Sequence, residues 1–388
     1  MERDEYYQKI LNIKADVIGV TTTMAQLNEA LLLPSLVKDT NTKFVIGGPG
    51  AVNLQSSKLY ESGYSVICYG EGENTIVELV EAFEKGLPLK NIKGISYCSD
   101  GREIKTPPRK PIKDLDKIPF PARELLDMDR YLRIWKEKMG VAVTQIVSSR
   151  GCPFTCKFCD NRTFGRKIRF MSPPRIIQEM KLIYDGYGAE MIYFEEDLFT
   201  YNRERVLDFC KLMEQELPGK IWGAHSRVDT IDREMLTRMK QAGCTDIFFG
   251  VESGSQKILD LLGKGITVEK IENAFRLAKE VGIKTQMYLI IGIPGETYQD
   301  IEMTKKLIAK LGPSSIDISF LTPIPGTEIY EMTKHLIDKE IDFSNCDCFR
   351  NIFRNGVFEV GQEEKKREIL DFFFSTFESE IDPRLSPD

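Results

Sequence analysis

Histidine is nearly absent: the 388 residues carry two, His225 and His335, and none precedes position 225. Any metal site in the first half of the chain must therefore be built without imidazole. Long apolar runs are missing as well. No stretch approaches the roughly 18 consecutive apolar residues that span a bilayer, and the opening Met1-Glu2-Arg3-Asp4-Glu5 is too charged for a secretory signal. The expected location is the cytoplasm. Positive charge is not in excess: 53 Lys and Arg stand against 59 Asp and Glu, a net charge of −6. That balance gives no overall attraction to nucleic acid. Nine cysteines, an odd number spread over a long chain, do not form a disulfide framework and fit reduced thiols.

What is present is concentrated in Gly151-Cys152-Pro153-Phe154-Thr155-Cys156-Lys157-Phe158-Cys159-Asp160, three cysteines at i, i+4 and i+7 of one loop. Thiolates are soft ligands suited to iron–sulfur clusters and zinc. A structural zinc site closes with four protein ligands, and the next Cys or His in sequence is Cys210. Three thiolates on a four-iron cluster leave one iron open to a small molecule, which turns an electron store into a catalyst.

Strand and helix patterns alternate along the chain. A short helix at 5–13 precedes buried strands at 15–20, 43–50 and 64–75, the last two ending in glycine turns. Residues 94–104 read as a hairpin turning at Asp100-Gly101, and a proline-rich linker follows over 107–122. From 143 the alternation resumes with six strands, at 143–148, 190–199, 220–229, 245–255, 283–297 and 315–328. An α/β chain is expected, with a doubly wound N-terminal domain, then a partial (β/α)6 barrel, then a small C-terminal helical extension. In both layouts ligands bind at the carboxyl ends of the strands, where the glycine-rich and charged segments fall.

The Cys-x3-Cys-x2-Cys loop resembles the signature of the radical S-adenosylmethionine enzymes. The resemblance implies a four-iron, four-sulfur cluster on Cys152, Cys156 and Cys159, with S-adenosylmethionine on the open iron, cleaved by one electron to methionine and a 5′-deoxyadenosyl radical. It places Phe158 beside the adenine. Glu195 and Glu196, in the acidic triplet ending at Asp197, correspond to residues that bind the ammonium, although Asp-Asp is the family's commoner pair. Ser226 and Arg227 look like contacts to the methionine carboxylate or ribose, and an arginine fork suits a carboxylate. His225 beside them is expected to pack rather than ligate. Glu252, in Gly250-Val251-Glu252-Ser253, resembles a segment that holds ribose or ammonium, and Lys264 a basic residue directed to the carboxylate. Gly292 and Pro294, in Gly292-Ile293-Pro294-Gly295-Glu296-Thr297, resemble a turn whose backbone approaches adenine. Pro323-Ile324-Pro325-Gly326-Thr327-Glu328 matches a further turn of the same subfamily.

The front of the chain is similar to the cobalamin-binding, Rossmann-like domain of one radical subfamily, with Thr22, Gly47 and Gly48 at its cofactor loops. It departs from that family in lacking the Asp-x-His-x-x-Gly loop whose histidine ligates cobalt, and it reads as starting after that domain's first strand and helix. The implied division is 1–112 cobalamin-binding-like, 113–142 linker, 143–335 radical core and 336–388 extension. The implied activity is cobalamin-dependent methyl transfer to an unactivated carbon or phosphorus; the alternatives are oxidative, cyclising or rearrangement chemistry without cobalamin, or a non-catalytic zinc scaffold. A small-molecule or natural-product substrate and an electron donor such as flavodoxin or ferredoxin are the expected partners. Arg162, Arg166, Lys167 and Arg169 form a local basic group, read as a solvated face or as a dock for an acidic electron donor or an anionic substrate. Cys346 and Cys348 are expected to be free cysteines, and the amphipathic stretch at 363–377 to be a helix capping the barrel.

Overall fold

The computed structural model describes residues 3–37 and 41–336. The expected helix at 363–377, the whole extension beyond 336, Cys346 and Cys348 lie outside the described residues.

The N-terminal sheet runs β1 (Val17–Thr21), β2 (Lys43–Gly47), β3 (Val66–Cys68), β4 (Ile95–Ser99) and β5 (Arg102–Lys105), in that spatial order. The first three strands are parallel, and β4 and β5 add an antiparallel hairpin at the far edge. Asp100 and Gly101 both have positive φ, 51° and 71°, the geometry a two-residue primed turn requires. Helices α1 (Arg3–Ile13), α2 (Leu27–Leu36), α3 (Pro49–Val52), α4 (Ser56–Glu61) and α5 (Glu73–Lys85) connect the strands. Because β2 and β3 are apolar at successive positions, both faces of the sheet need cover. Leu33, Phe44, Ile46, Leu59 and Tyr64 fill one face, and Val45, Val66, Leu79, Ala82 and Ile95 the other.

The stretch expected to be a linker holds a helix, α6 (Met128–Met139), capped by Asp127, whose side chain accepts from the Arg130 amide, and ended by Gly140 in the left-handed region. Its Met128 and Leu132 belong to the barrel core. The larger sheet is wholly parallel. Its six strands are β6 (Val143–Ile146), β9 (Met191–Phe194), β10 (Ile221–Ser226), β11 (Cys244–Glu252), β12 (Lys284–Ile291) and β13 (Ser315–Phe320), ordered β13-β12-β11-β10-β9-β6. Between β6 and β9 lie β7 (Ser149–Arg150) and β8 (Arg169–Phe170), two-residue strands that pair antiparallel and close the cysteine loop at its base. The covering helices are α7 (Pro173–Tyr187), α8 (Arg203–Glu216), α9 (Arg233–Gln241), α10 (Gln256–Leu261), α11 (Val268–Val281), α12 (Tyr298–Leu311) and α13 (Glu328–Thr333). Phe194, Phe199, Phe209 and Trp222 pack ring on ring between sheet and helices, with centroids 4.5–5.7 Å apart. The result is an open half barrel whose inner face is not filled by this core. No helix among the described residues is long and apolar enough to cross a membrane.

Candidate functional site

The cysteine loop hangs from β7 and β8 at the carboxyl end of β6 and is held from three sides. The Cys152 amide donates to the Gly165 carbonyl at 3.2 Å, the Lys157 amide to the Leu262 carbonyl at 2.9 Å, and the Ile329 amide to the Lys157 carbonyl at 3.0 Å. Gly151 is needed here: its φ is +88°, and a Cβ would stand 2.6 Å from the Lys167 carbonyl oxygen. Backbone passing that close leaves no room for a side chain.

The three thiols lie close enough for their charges to act on one another. Burial, then the charges of Asp197 and of the other cysteines, push the Cys159 thiol up to about 12, and burial also raises Cys152. Cys159 is exposed by surface area, and its raised value comes from the protein packed around the sulfur and from the neighbouring negative charges. Among the described residues no group of His, Cys, Asp and Glu converges to hold a single metal ion. A cluster asks for something else, one thiolate on each of three irons. The donor set therefore fits a cluster, whose positive charge would replace the three protons.

Around the thiols the structure gathers Phe158, Arg227, Glu252 and Lys264. The Arg227 guanidinium reaches Cys156 Sγ at 3.8 Å, donates to the Lys264 carbonyl at 2.8 Å, and lies 3.7 Å over the Phe154 ring. Its other edge forms a fork on Asp229. Lys264 Nζ meets Glu252 Oε1 at 2.5 Å and stands 5.8 Å over the Phe158 ring. Both partners of this ion pair are 8% exposed. Glu252 has φ +67° at a register shift in β11, a conformation that costs a non-glycine residue about 1–3 kcal/mol. That twist turns its carboxylate over the backbone of Gly250, where a Cβ would sit 2.7 Å from Glu252 Oε1 and 2.8 Å from Lys264 Nζ.

Other expected contacts have different surroundings. Glu195 points into the barrel, accepting from Gln145 at 3.1 Å and standing 3.8 Å from His225 Nε2. Glu196 turns the opposite way: it is buried, accepts from the Ser148 amide and hydroxyl, and faces Arg205 at 3.7 Å. It supports the strand preceding the cysteine loop rather than the mouth. Ser226 sits in a buried hydroxyl group with Thr200 and Thr230. Gly292 and Pro294 form a self-contained turn in which the Gly292 and Ile293 amides both donate to Glu296 Oε2. Burial raises the Glu296 carboxyl to about 8 against those two donors. Asp197, the third member of the acidic group read from sequence, acts by its charge on Cys152 and Cys159, and burial raises its own carboxyl.

In the front domain the Thr22 amide donates to Gly47, and the Gly50 amide to Thr22, at 3.1 and 2.8 Å. A Cβ on Gly48 would lie 2.7 Å from Thr21 Oγ1, so these glycines let the β1 and β2 loops touch. Beyond them, at the end of β3, Gly70 and Gly72 leave open space in which a Cβ would meet nothing within 4 Å. This edge abuts the cysteine loop. Asn53 Nδ2 donates to Asp160 Oδ2 at 3.0 Å, and Arg162 bonds both Asp160 and Asn53. Glu71 pairs with Arg169 and, at 3.7 Å, with Arg150, while Glu73 also pairs with Arg150. Of the basic group read from sequence, Arg169 is thus buried in an ion pair and Arg162 is engaged; Arg166 and Lys167 remain exposed. A cavity of about 300 Å³ opens along this seam, lined by Tyr69, Gly70, Arg109, Arg162 and Phe164 among others.

Comparison with known proteins follows the same outline. The family model described as the radical SAM superfamily matches residues 146–308. A Pyrococcus horikoshii protein named as an uncharacterized methyltransferase, PH0819, is 36% identical over 320 residues, 81% of this chain and 69% of the relative. An anaerobic magnesium-protoporphyrin IX monomethyl ester cyclase of Rubrivivax gelatinosus is 28% identical over 386 residues, 97% of this chain and 68% of the relative. The fold is shared with the radical S-adenosylmethionine methyltransferase TsrM of Kitasatospora setae, solved with cobalamin and a [4Fe-4S] cluster, at a TM-score of 0.72 and 17% identity over 87% of this chain and 68% of that one.

Proposed function

The chain belongs to the radical S-adenosylmethionine superfamily, and from that premise we propose that it is a cobalamin-dependent methyltransferase acting on an unactivated carbon or phosphorus of a small molecule. Cys152, Cys156 and Cys159 hold the cluster. Arg227, Glu252, Lys264 and Phe158 receive S-adenosylmethionine, with Ser226, Gly292 and Pro294 further out, while Glu195 faces the barrel interior beside His225. The cluster with S-adenosylmethionine supplies a radical able to take hydrogen from an unactivated position, and cobalamin supplies the methyl group.

The observation that carries the proposal is the contact of Asn53 with Asp160, 3.0 Å, one residue after the last cysteine. It lays the carboxyl edge of the N-terminal sheet against the cysteine loop, so ligands on the two edges face one another. The open glycine edge at Gly70 and Gly72 suits a large ligand approaching the backbone. With no histidine before position 225, that ligand receives no imidazole from this domain. The remaining residues position and tune. Arg227 donates toward a cluster thiolate, and hydrogen bonds to sulfur set a cluster's potential. Lys264 and Glu252 present opposite charges to the two charged groups of an amino acid. Exposed Arg166 and Lys167, on the strap beside the loop, suit an acidic electron donor of the flavodoxin or ferredoxin kind.

Protein purified without oxygen and reconstituted should bind about four irons and cleave S-adenosylmethionine. Cys152→Ala should do neither; cleavage by that variant under strong reductant would sink the assignment. Red colour that stays with the protein through gel filtration after hydroxocobalamin is added, with S-adenosylhomocysteine among the products, supports methyl transfer. A second reading rests on the likeness to the cyclase over 97% of the chain: ring-forming oxidative chemistry from the same radical, which yields 5′-deoxyadenosine without S-adenosylhomocysteine.

A further inference from the structure

The inner face of the half barrel carries rings on four consecutive strands: Tyr193 on β9, His225 on β10, Phe248 on β11 and Tyr288 on β12. Phe248 and Tyr288 are stacked, centroids 5.8 Å apart and planes 20° apart. His225 lies 4.7 Å from Phe248 and 5.6 Å from Tyr288, and Tyr193 meets Phe248 edge-on at 5.1 Å. Gly223 makes room for this wall, since a Cβ there would strike Tyr193 Cε1 at 2.4 Å. All four rings are only half-buried, whereas the neighbours facing outward, Phe194, Ala224, Phe249 and Met287, are buried under the helices. The wall therefore does not belong to the core.

Its rims are acidic. Glu195 stands 3.8 Å from His225 Nε2. Asp317 is in register with Tyr288, and both carboxylates act on the Tyr288 hydroxyl. Among the described residues the one lysine at an inward strand position, Lys284, is at the amino end of β12 in register with Asp246, away from Glu195 and Asp317. Tyr288 is also in register with Gly250, over which Glu252 and Lys264 meet. The wall thus begins where the cofactor mouth ends.

We propose that this wall is the substrate surface and that it takes a planar aromatic or conjugated small molecule carrying a basic nitrogen, its ring against Phe248 and Tyr288 and its ammonium toward Glu195 and Asp317. The proposal rests on the reading of the mouth given above, because a ligand so placed lies beside the site assigned to S-adenosylmethionine. Aromatic faces attract both rings and cations, and the two carboxylates select the charge. A matching anionic ligand meets unfavourable charge at both rims.

The test uses reconstituted full-length protein and three probes, 2-naphthylmethylamine, 2-naphthylacetate and cyclohexylmethylamine, with affinities measured by calorimetry. The naphthylamine should bind at least about tenfold more tightly than either of the others. Tyr288→Leu should erase its advantage over cyclohexylmethylamine. Asp317→Asn should weaken it, and Asp317→Lys should favour the naphthylacetate, a reversal that mere loss of structure does not produce. Equal affinities, no binding, or a preference for the acid would overturn the proposal. S-adenosylmethionine cleavage is assayed on the same wild-type preparation: if cleavage fails, the reading of the mouth fails; if it proceeds while the probes do not discriminate, only the substrate class falls.

Discussion

Removing the Lys264 ammonium while keeping its aliphatic length, as Lys264→Met does, tests whether the buried pair holds Glu252 in its left-handed conformation. At 2.5 Å, and with an effective dielectric near 20, two unit charges attract by about 7 kcal/mol before desolvation is subtracted. Desolvating both groups offsets much of that, and removing one partner of such a buried pair costs about 3–5 kcal/mol because the other charge is left alone. Here the orphan would be a carboxylate 8% exposed on a backbone that already carries strain. For a chain of 388 residues each kcal/mol moves the melting temperature by only about 1 °C, so Lys264→Met should lower it by about 4–6 °C. Glu252→Gln alone should cost less, since its amide oxygen still accepts from the Lys264 ammonium that would otherwise be left alone. The double variant should recover part of the loss, giving a coupling of at least about 1 kcal/mol in a double-mutant cycle followed by thermal denaturation. Additive losses, or a shift under about 2 °C in Lys264→Met, would refute the account of the pair as the restraint on Glu252.

Glu71→Gln should loosen the two domains, because it leaves Arg169, buried beside the cysteine loop, without its carboxylate; limited proteolysis at the 107–122 segment should accelerate, and an unchanged rate counts against the clamp. Gly50→Ala should destabilise by about 1–3 kcal/mol, the range for overpacking, since its Cβ would fall 2.4 Å from the Thr23 carbonyl oxygen; chemical denaturation reads this directly. The raised Glu296 carboxyl gives a pH signature. A carboxyl at about 8 in the folded chain against about 4.3 unfolded holds its proton on folding, so its contribution is present below the lower value and is lost as pH rises toward the upper one. The stability of the native protein relative to Glu296→Gln should therefore fall between about pH 5 and pH 8, and a flat difference across that window would show that the two amide donors keep Glu296 ionised.

The strands were legible because parallel strands buried on both faces read as short apolar runs ended by glycine, and the Asp100-Gly101 hairpin because its turn type demands that dipeptide. The cysteine loop was legible because its three thiols fall within eight residues of sequence. What escaped the sequence is non-local or too short to show a period. The two residues each of β7 and β8 carry no alternation. The helix at 128–139 was hidden by its prolines upstream and by a charged face that reads as linker. Glu196 meets Ser148 and Arg205, partners 48 and 9 positions away that meet only once β6, β9 and α8 have packed. The aromatic wall was hidden differently: Tyr193, His225, Phe248 and Tyr288 sit among apolar neighbours, so the alternation that sends them inward shows only once the strands pair.

The charged residues flanking the cysteine loop are therefore spent on architecture to a degree their sequence does not suggest. Arg150 and Arg169 face each other across β7 and β8, and both reach Glu71 of the front domain. The short ladder at the base of the loop is thus also the joint between the domains. A ligand that moved the end of β3, where Glu71 and Gly70 lie, would pull on that ladder, and Cys152 is only two residues beyond Arg150. Coupling of this kind acts in both directions. Filling the glycine edge should stiffen the cysteine loop, and loading the cluster should raise affinity at the glycine edge. Hydroxocobalamin should accordingly bind more tightly to reconstituted protein than to protein without its cluster, and Arg150→Met should reduce that difference more than it reduces either affinity alone.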